Sequence, residues 1–225
     1  MNVLFLGAPG SGKGTQSKKI ETEFNIPQIS TGDLLRAETA SGSDMGEELK
    51  KIMSSGKFVS DEVVLELVSK KITSDECKNG FILDGFPRNL SQASSLDTLL
   101  TNLNVSLEYV FLIDVPTDLI IKRCVGRVTC NKCGKIENEY FSDIKEGDTC
   151  EDAGVYVKRA DDNEETVTNR LKVYGEQTEP IINFYEEKGI LHRIIGGEDG
   201  PQRLTDEIIS IIKSWICDWY SHMML

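Results

Sequence analysis

The chain has 225 residues and a mass of 25.1 kDa, enough for one ordinary core with small additions. Its 25 basic and 37 acidic residues give a formal net charge of −12, which argues against non-specific binding to nucleic acid or to an acidic membrane. No apolar run is long enough to span a bilayer, no leader pattern fits a first strand starting at Asn2, and six cysteines in so large a chain do not read as a secreted disulfide framework; the expectation is a cytoplasmic protein.

Asn2 to Leu6 is a short apolar run that predicts a strand, and Gln16 to Glu21 reads as helix. Between them lies Gly7-Ala8-Pro9-Gly10-Ser11-Gly12-Lys13-Gly14-Thr15. Strand, glycine-rich turn and helix form the context of a phosphate-binding loop. Glycines leave backbone N–H groups free to curl around an anion, the helix N-terminus adds its dipole, and Lys13 brings a positive charge for the terminal phosphates. Gly14 follows the lysine, so the hydroxyl that usually reaches magnesium is displaced to Thr15 and metal binding by the loop is less direct. An anionic ligand in an acidic protein requires locally concentrated positive charge. The eight arginines are Arg36, Arg88, Arg123, Arg127, Arg159, Arg170, Arg193 and Arg203, and their placement is the test of any site.

Ile26 to Ser30 is a short extended stretch, and Ser30-Thr31-Gly32-Asp33 supplies N-cap chemistry for a helix. Short helices are expected over Gly32–Ala40 and Met45–Ser54, then a turn and a capped helix from Glu62 to Ile72. The 30–60 region has few large apolar residues and reads as a helical flap rather than core. In Gly80-Phe81-Ile82-Leu83-Asp84-Gly85-Phe86-Pro87-Arg88 the apolar run predicts a strand buried on both faces, with Asp84 at its carboxyl end. That edge of a parallel sheet binds ligands, and a carboxylate there can hold magnesium through water. Alone, Asp84 reads as a cap and Arg88 as a surface ion pair; behind a phosphate loop they read as site residues.

A helix over Ser91–Leu103, a strand over Tyr109–Asp114 and a helix over Thr117–Val125 continue the alternation, which argues for a parallel α/β sheet covered on both faces. Arg127 to Arg159 breaks the rhythm and reads as a small β-rich insertion. It holds Cys130, Cys133 and Cys150, a partial zinc-ribbon spacing whose fourth place is Ala153, with Asp152 one residue short. The readings are a three-cysteine site completed by Asp152 or a zinc-free lid, and the spacing favours the second. A helix is expected over Glu164–Glu187, kinked or divided by Pro180, then a strand over Ile190–Ile195 and a closing helix from Pro201 to about Tyr220. His192 reads as a strand surface residue, and Trp215, Trp219 and Tyr220 as packing for the closing helix.

Four separated stretches resemble one family, the adenylate kinases in their long-lid form: Gly7 to Gln16, Pro27 to Asp33, Gly80 to Arg88 and Lys158 to Asn163. The resemblance runs essentially end to end, and Leu83 to Arg88 is specific to nucleoside monophosphate kinases. It implies a five-stranded parallel sheet flanked by helices. It divides the chain into a core (1–29, 60–126 and 164–225), a monophosphate-binding flap (30–59) and a small β-rich lid (127–163). It implies the reaction ATP + AMP giving two ADP with magnesium, in a monomer that binds no nucleic acid and no membrane.

By position, Gly10, Ser11, Gly12, Lys13, Gly14, Thr15 and Arg127 would hold ATP. Thr31 and Gln92 would read the AMP adenine, Lys57, Val59 and Gly85 would contact AMP, and Arg36 and Arg88 would hold its phosphate. Lys13, Arg123, Arg127, Arg159 and Arg170 would gather around the transferring group, with Arg159 and Arg170 also reaching AMP. Asp84 would place the metal, and Asp161 and Asp162 would fix the closed lid. Six of the eight arginines fall in these roles, leaving Arg193 and Arg203. The alternatives are a GTP-preferring AMP kinase or another monophosphate kinase and, from a different class, an ATP-binding switch module without turnover.

Overall fold

The computed structural model describes residues 1–54, 59–159 and 162–223, with side chains of 53–54 and 215–223 excepted. Five parallel strands form the central sheet: β1 (Asn2–Leu6), β2 (Gln28–Ser30), β3 (Phe81–Asp84), β4 (Tyr109–Asp114) and β8 (Leu191–Ile195), in the order β2-β3-β1-β4-β8. The expected five-stranded parallel sheet is therefore the one formed. The inner strands β1, β3 and β4 read as apolar runs because both their faces are buried, whereas the edge strands β2 and β8 carry polar residues. Along β1, Val3 and Phe5 enter one core cluster while Leu4 and Leu6 enter another. The first cluster lies under α1 (Lys13–Phe24), α6 (Thr117–Val125) and α9 (Pro201–Met223); the second lies under α4 (Asp61–Ile72), α5 (Leu90–Asn102) and α8 (Pro180–Glu187). Phe5 and Phe111 meet on adjacent strands with ring centroids 5.6 Å apart. Each large side chain so buried contributes about 1.5–3 kcal/mol.

β1 is central, so the loop after it lies at the switch point where the chain turns from one half of the sheet to the other. The 30–54 region is helical as expected: α2 (Thr31–Ala40), capped by Ser30 accepting the Asp33 N–H, and α3 (Asp44–Ser54). The insertion is a separate antiparallel sheet of β5 (Arg127–Cys130), β6 (Ile136–Asn138) and β7 (Tyr156–Val157), in the order β6-β5-β7. Val128, Cys130, Cys150 and Tyr156 form its own small core.

The helix expected from Glu164 divides before the proline rather than at it. α7 (Glu164–Val173) gives way to a π-helical turn over Tyr174–Thr178, and Pro180 opens α8. The Glu179 N–H donates to Tyr174 O at 2.9 Å, one residue wider than an α-helical bond. Proline is well placed at a first helical position, where its missing N–H costs nothing. His192 stands against Tyr109 and Phe111, 6.0 and 5.5 Å between ring centroids, so it is a packed strand residue as well as a surface one. Among the described residues no helix is long and apolar enough to cross a membrane. Trp215, Trp219 and Tyr220 lie on α9, with side chains outside the described set.

Candidate active site

The loop after β1 is built around glycines that no other residue replaces easily. Gly10 has φ +81°, and a Cβ there would meet Cys124 Sγ at 2.3 Å. Gly12, at φ +106°, precedes α1 without a side-chain cap, and a Cβ on it would point into space with nothing within 4 Å. The loop therefore packs on α6 behind and opens a backbone-lined hollow at a helix N-terminus in front, as anion binding requires. Ser11 Oγ is buried there without a hydrogen-bond partner.

Lys13 bends back over the loop, and its Nζ donates to Gly7 O at 2.8 Å and Ala8 O at 2.9 Å. Loss of hydration brings its pKa down to about 8; Asp84 opposes that fall, while Arg88 and Arg170 add to it. The register Phe5↔Asp84 sets the Asp84 carboxylate level with the end of β1. Burial raises the pKa of Asp84 despite Lys13 and a 2.8 Å hydrogen bond from Gln28 Nε2 to Oδ2. Asp84, Arg88 and Arg170 thus all lie close enough to act on the Lys13 ammonium.

Arg88 faces the cleft. Its Nε donates to Gly85 O at 2.7 Å, the carbonyl that also accepts Thr31 Oγ1 at 3.0 Å. Its own carbonyl accepts Thr178 Oγ1 at 2.8 Å, which ties it to the π-helical turn. Surrounding protein lowers the Arg88 pKa, and Arg170 lowers it further. Arg123 bridges the phosphate loop and the turn before α9, donating to Ser11 O at 3.3 Å and Gly197 O at 2.6 Å. Arg127 makes a two-pronged pair with Asp162, Nε to Oδ2 at 2.7 Å and a terminal nitrogen to Oδ1 at 2.5 Å, with the carboxylate fully enclosed. Arg36 pairs with Asp33 at 2.5 Å; against the upward pull of burial, hydrogen bonds from Arg36 and Ser30 lower the Asp33 pKa, and Arg159 lies near enough to lower it further.

The expected residues therefore fall into connected groups. Lys13, Asp84, Arg88 and Arg170 share the mouth of the loop. Gly10, Ser11, Gly12, Gly14 and Thr15 form the loop and the start of α1, Thr31 and Gly85 sit beside Arg88, and Gln92 accepts the Arg88 N–H at 2.7 Å. Arg36 and Arg159 come together instead around Asp33, and Arg127 with Asp162. Val59 is half-buried at the end of the 30–59 segment, while Lys57 and Asp161 lie outside the described residues. The arginines left out have surface acids of their own: Arg193 pairs with Asp114 and Glu186, Arg203 with Asp199 and Glu207.

The sequence reading missed Gln28, Asp61 and Asn89, which brace Asp84 and Gln92. Gln28 stood inside a motif already singled out, whereas Asp61 looked like an ordinary helix-capping acid.

Such a loop at the switch edge of a parallel sheet, with a lysine and a strand-end carboxylate beside it, defines a phosphate-loop nucleotide-binding protein. Residues 5–190 match the model of the family described as Adenylate kinase. Adenylate kinases of Thermodesulfovibrio yellowstonii, Nitrosococcus oceani and Archaeoglobus fulgidus are 49%, 43% and 43% identical to it, each over 95% of this chain and 99–100% of their own length. The chain belongs to the adenylate kinase family.

Proposed function

We infer that this chain catalyses the reversible transfer of the γ-phosphoryl group of ATP to AMP, giving two ADP. The observation that carries the reading is the meeting of Lys13, Asp84, Arg88 and Arg170 at the open side of the 7–15 loop, in a chain related end to end to adenylate kinases. Phosphoryl transfer needs in-line placement, cations around the transferring oxygens and exclusion of water, and it needs no covalent partner from the protein. An oxygen of the AMP phosphate attacks the γ-phosphorus, the bond to the β-phosphate bridging oxygen breaks, and the electron pair leaves with ADP.

The loop backbone, Ser11, Thr15 and Lys13 would hold the ATP phosphates. Arg36 and Arg88 would hold the AMP phosphate, Thr31, Gly85 and Gln92 its adenosine side, and Lys57 and Val59 would add flap contacts. Closure of the 30–59 flap and the 127–163 lid on the remaining core would bring Arg123, Arg127, Arg159 and Arg170 to the transferring group, with Asp161 and Asp162 holding the lid shut. The Arg127–Asp162 pair, with its carboxylate fully enclosed, supports a hinge at the base of the lid. Magnesium carried in with the nucleotide would neutralise phosphate charge, and Asp84, whose Oδ2 accepts from Gln28 Nε2, would hold it. The setting is proposed to be a cytoplasmic monomer; the described cysteines are all free thiols.

The discriminating experiment is a coupled assay of ADP formation that crosses ATP, GTP, CTP and UTP as donors with AMP, GMP, CMP and UMP as acceptors. ATP with AMP is expected to exceed every other pair. ATP binding without acceptor-dependent turnover would make the protein a nucleotide-binding switch.

The insertion suits a structural metal better than its spacing suggests. The three sulfurs of Cys130, Cys133 and Cys150 lie within 4.8 Å of one another, and Cys133 and Cys150 are 3.8 Å apart. A tetrahedral zinc with bonds of about 2.3 Å has sulfurs about 3.8 Å apart. Against its burial, hydrogen bonds from the Cys133 and Lys132 amides and from the neighbouring thiols bring Cys130 down to about 7. Against a hydrogen bond from the Lys135 amide, Cys130, Cys150 and Asp152 push Cys133 up to about 11. The cluster thus forms one thiolate first, and a metal would have to displace the other protons. Asp152 lies beside Cys133 but outside the three-sulfur cluster, so its carboxylate would have to move inward to supply the fourth ligand. Elemental analysis is expected to find one zinc per chain. Cys133→Ser should lose it and lower the melting temperature by several degrees; a metal-free protein with an unchanged melting temperature would establish a zinc-free lid.

A further inference from the structure

The side-chain amide of Gln92 is held at both ends. Its Oε1 accepts the backbone N–H of Arg88 at 2.7 Å, and its Nε2 donates to Asp61 Oδ1 at 2.5 Å. These partners leave no freedom in the orientation: a backbone N–H can meet only the amide oxygen, and a carboxylate oxygen only the NH2 group. The second carboxylate oxygen of Asp61 accepts from Asn89 Nδ2 at 3.2 Å, while Asn89 Oδ1 caps α5 by accepting the Gln92 N–H at 2.8 Å. Gln92 is only 7% exposed. A reversed amide would set its oxygen against a carboxylate and its NH2 against an N–H, with little water to screen either clash. Asp61 opens α4 immediately after its cap, Ser60, where the chain returns from the 30–59 segment to the sheet.

We propose that Asp61 is a positioning residue that sets the base specificity of the monophosphate site by locking the Gln92 amide in one orientation. The inference rests on the reading of Gln92 as an adenine contact. After the two bonds just described, the amide retains one donor hydrogen and one acceptor lone pair. An adenine edge offers the matching pattern, an acceptor at N1 and a donor on the 6-amino group. A 6-oxo purine offers the reverse, N1–H and a carbonyl. A free amide could meet that edge by turning over, and a locked one cannot, so the wrong base leaves buried polar groups unpaired. Thr31 lies close by on Gly85 O but carries a hydroxyl that can donate or accept, and so discriminates less.

The test measures kcat/KM for AMP and for IMP, with ATP as donor, in the wild type, in Asp61→Asn and in Gln92→Ala. Asparagine is isosteric, and its own NH2 can meet the oxygen of a turned amide, so that only the Arg88 N–H still opposes the turn. The AMP-to-IMP ratio is expected to fall roughly tenfold in Asp61→Asn, through the acceptor KM, with the KM for ATP unchanged. A residue with only a structural role would weaken both acceptors alike. If the ratio falls in Gln92→Ala but holds in Asp61→Asn, the proposed lock is wrong and the Gln92 reading stands. If it holds in both, the Gln92 reading fails and takes the lock with it. Should Asp61→Asn not fold, the Gln92 side-chain amide of the wild type gives the answer by NMR. One proton shifted well downfield in slow exchange supports the lock, and a pair at free-amide positions overturns it.

Discussion

Replacing Lys13 with methionine is expected to lower turnover by about 10³-fold, the scale seen when a preorganised charge aimed at a developing phosphoryl oxyanion is lost. The Lys13 ammonium donates to the Gly7 and Ala8 carbonyls, which holds it over the phosphate loop. Methionine fills the same length without charge, and the Arg88 and Arg170 groups crowding the mouth lose a repulsive neighbour. Stability should therefore change far less than activity. The pH dependence gives a second signature. Burial and the neighbouring arginines place the Lys13 pKa at about 8 in the free protein, while bound polyphosphate would raise it. Binding then takes up a proton only above that pKa. ATP affinity should be level below about pH 7.5 and weaken by up to tenfold per unit above about pH 8, the slope linkage allows for one proton. Titration calorimetry in two buffers of different ionisation enthalpy checks the proton uptake, which the methionine variant should lack.

Arg88→Ala should carry the other large loss, about 10²–10³ in kcat together with a raised KM for AMP. The guanidinium is held by Gly85 O through Nε, which leaves its two terminal nitrogens as a fork facing the cleft. Its backbone is pinned twice, through Gln92 Oε1 and Thr178 Oγ1, so little entropy is lost when a phosphate arrives. Lysine at this position should recover only part of the loss, since a point charge cannot bridge two phosphate oxygens. Steady-state kinetics with AMP varied at saturating ATP separates the two effects. Near-normal kcat in Arg88→Ala would remove the residue from the transferring group.

The central frame was legible because its signals are local. The 7–15 loop declares itself through residue types at fixed spacing, and the apolar runs Asn2–Leu6, Phe81–Leu83 and Tyr109–Ile113 are unbroken because neither face of their strands meets water. Asp84 could be placed because it closes such a run. Contacts between remote segments were not legible. Gln28 and Asp84 meet across 56 residues and Asp61 and Gln92 across 31, through amide–carboxylate bonds that any surface Gln and Asp can form. The divided helix was anticipated at Pro180, yet the proline is accommodated as a first residue and the preceding turn absorbs the mismatch. The cysteine cluster was legible only in part. Counting residues makes Asp152 one place short, but Ala153 adopts φ 57° in the turn between Cys150 and β7, and spacing along the chain there says little about distance. The small antiparallel sheet sets the distances, and it brings the three sulfurs together.

Catalysis depends on dispersed positive charges converging upon two nucleotides held end to end. A crystal structure of the protein bound to two adenosines joined through five phosphates measures this most directly. The expected result places the phosphate chain against the 10–15 backbone and Lys13, with the guanidinium groups of Arg36, Arg88, Arg123, Arg159 and Arg170 within hydrogen-bond distance of its oxygens. A phosphate chain lying away from the 10–15 backbone, or Arg36 and Arg159 still grouped on Asp33 with the ligand in place, would contradict it.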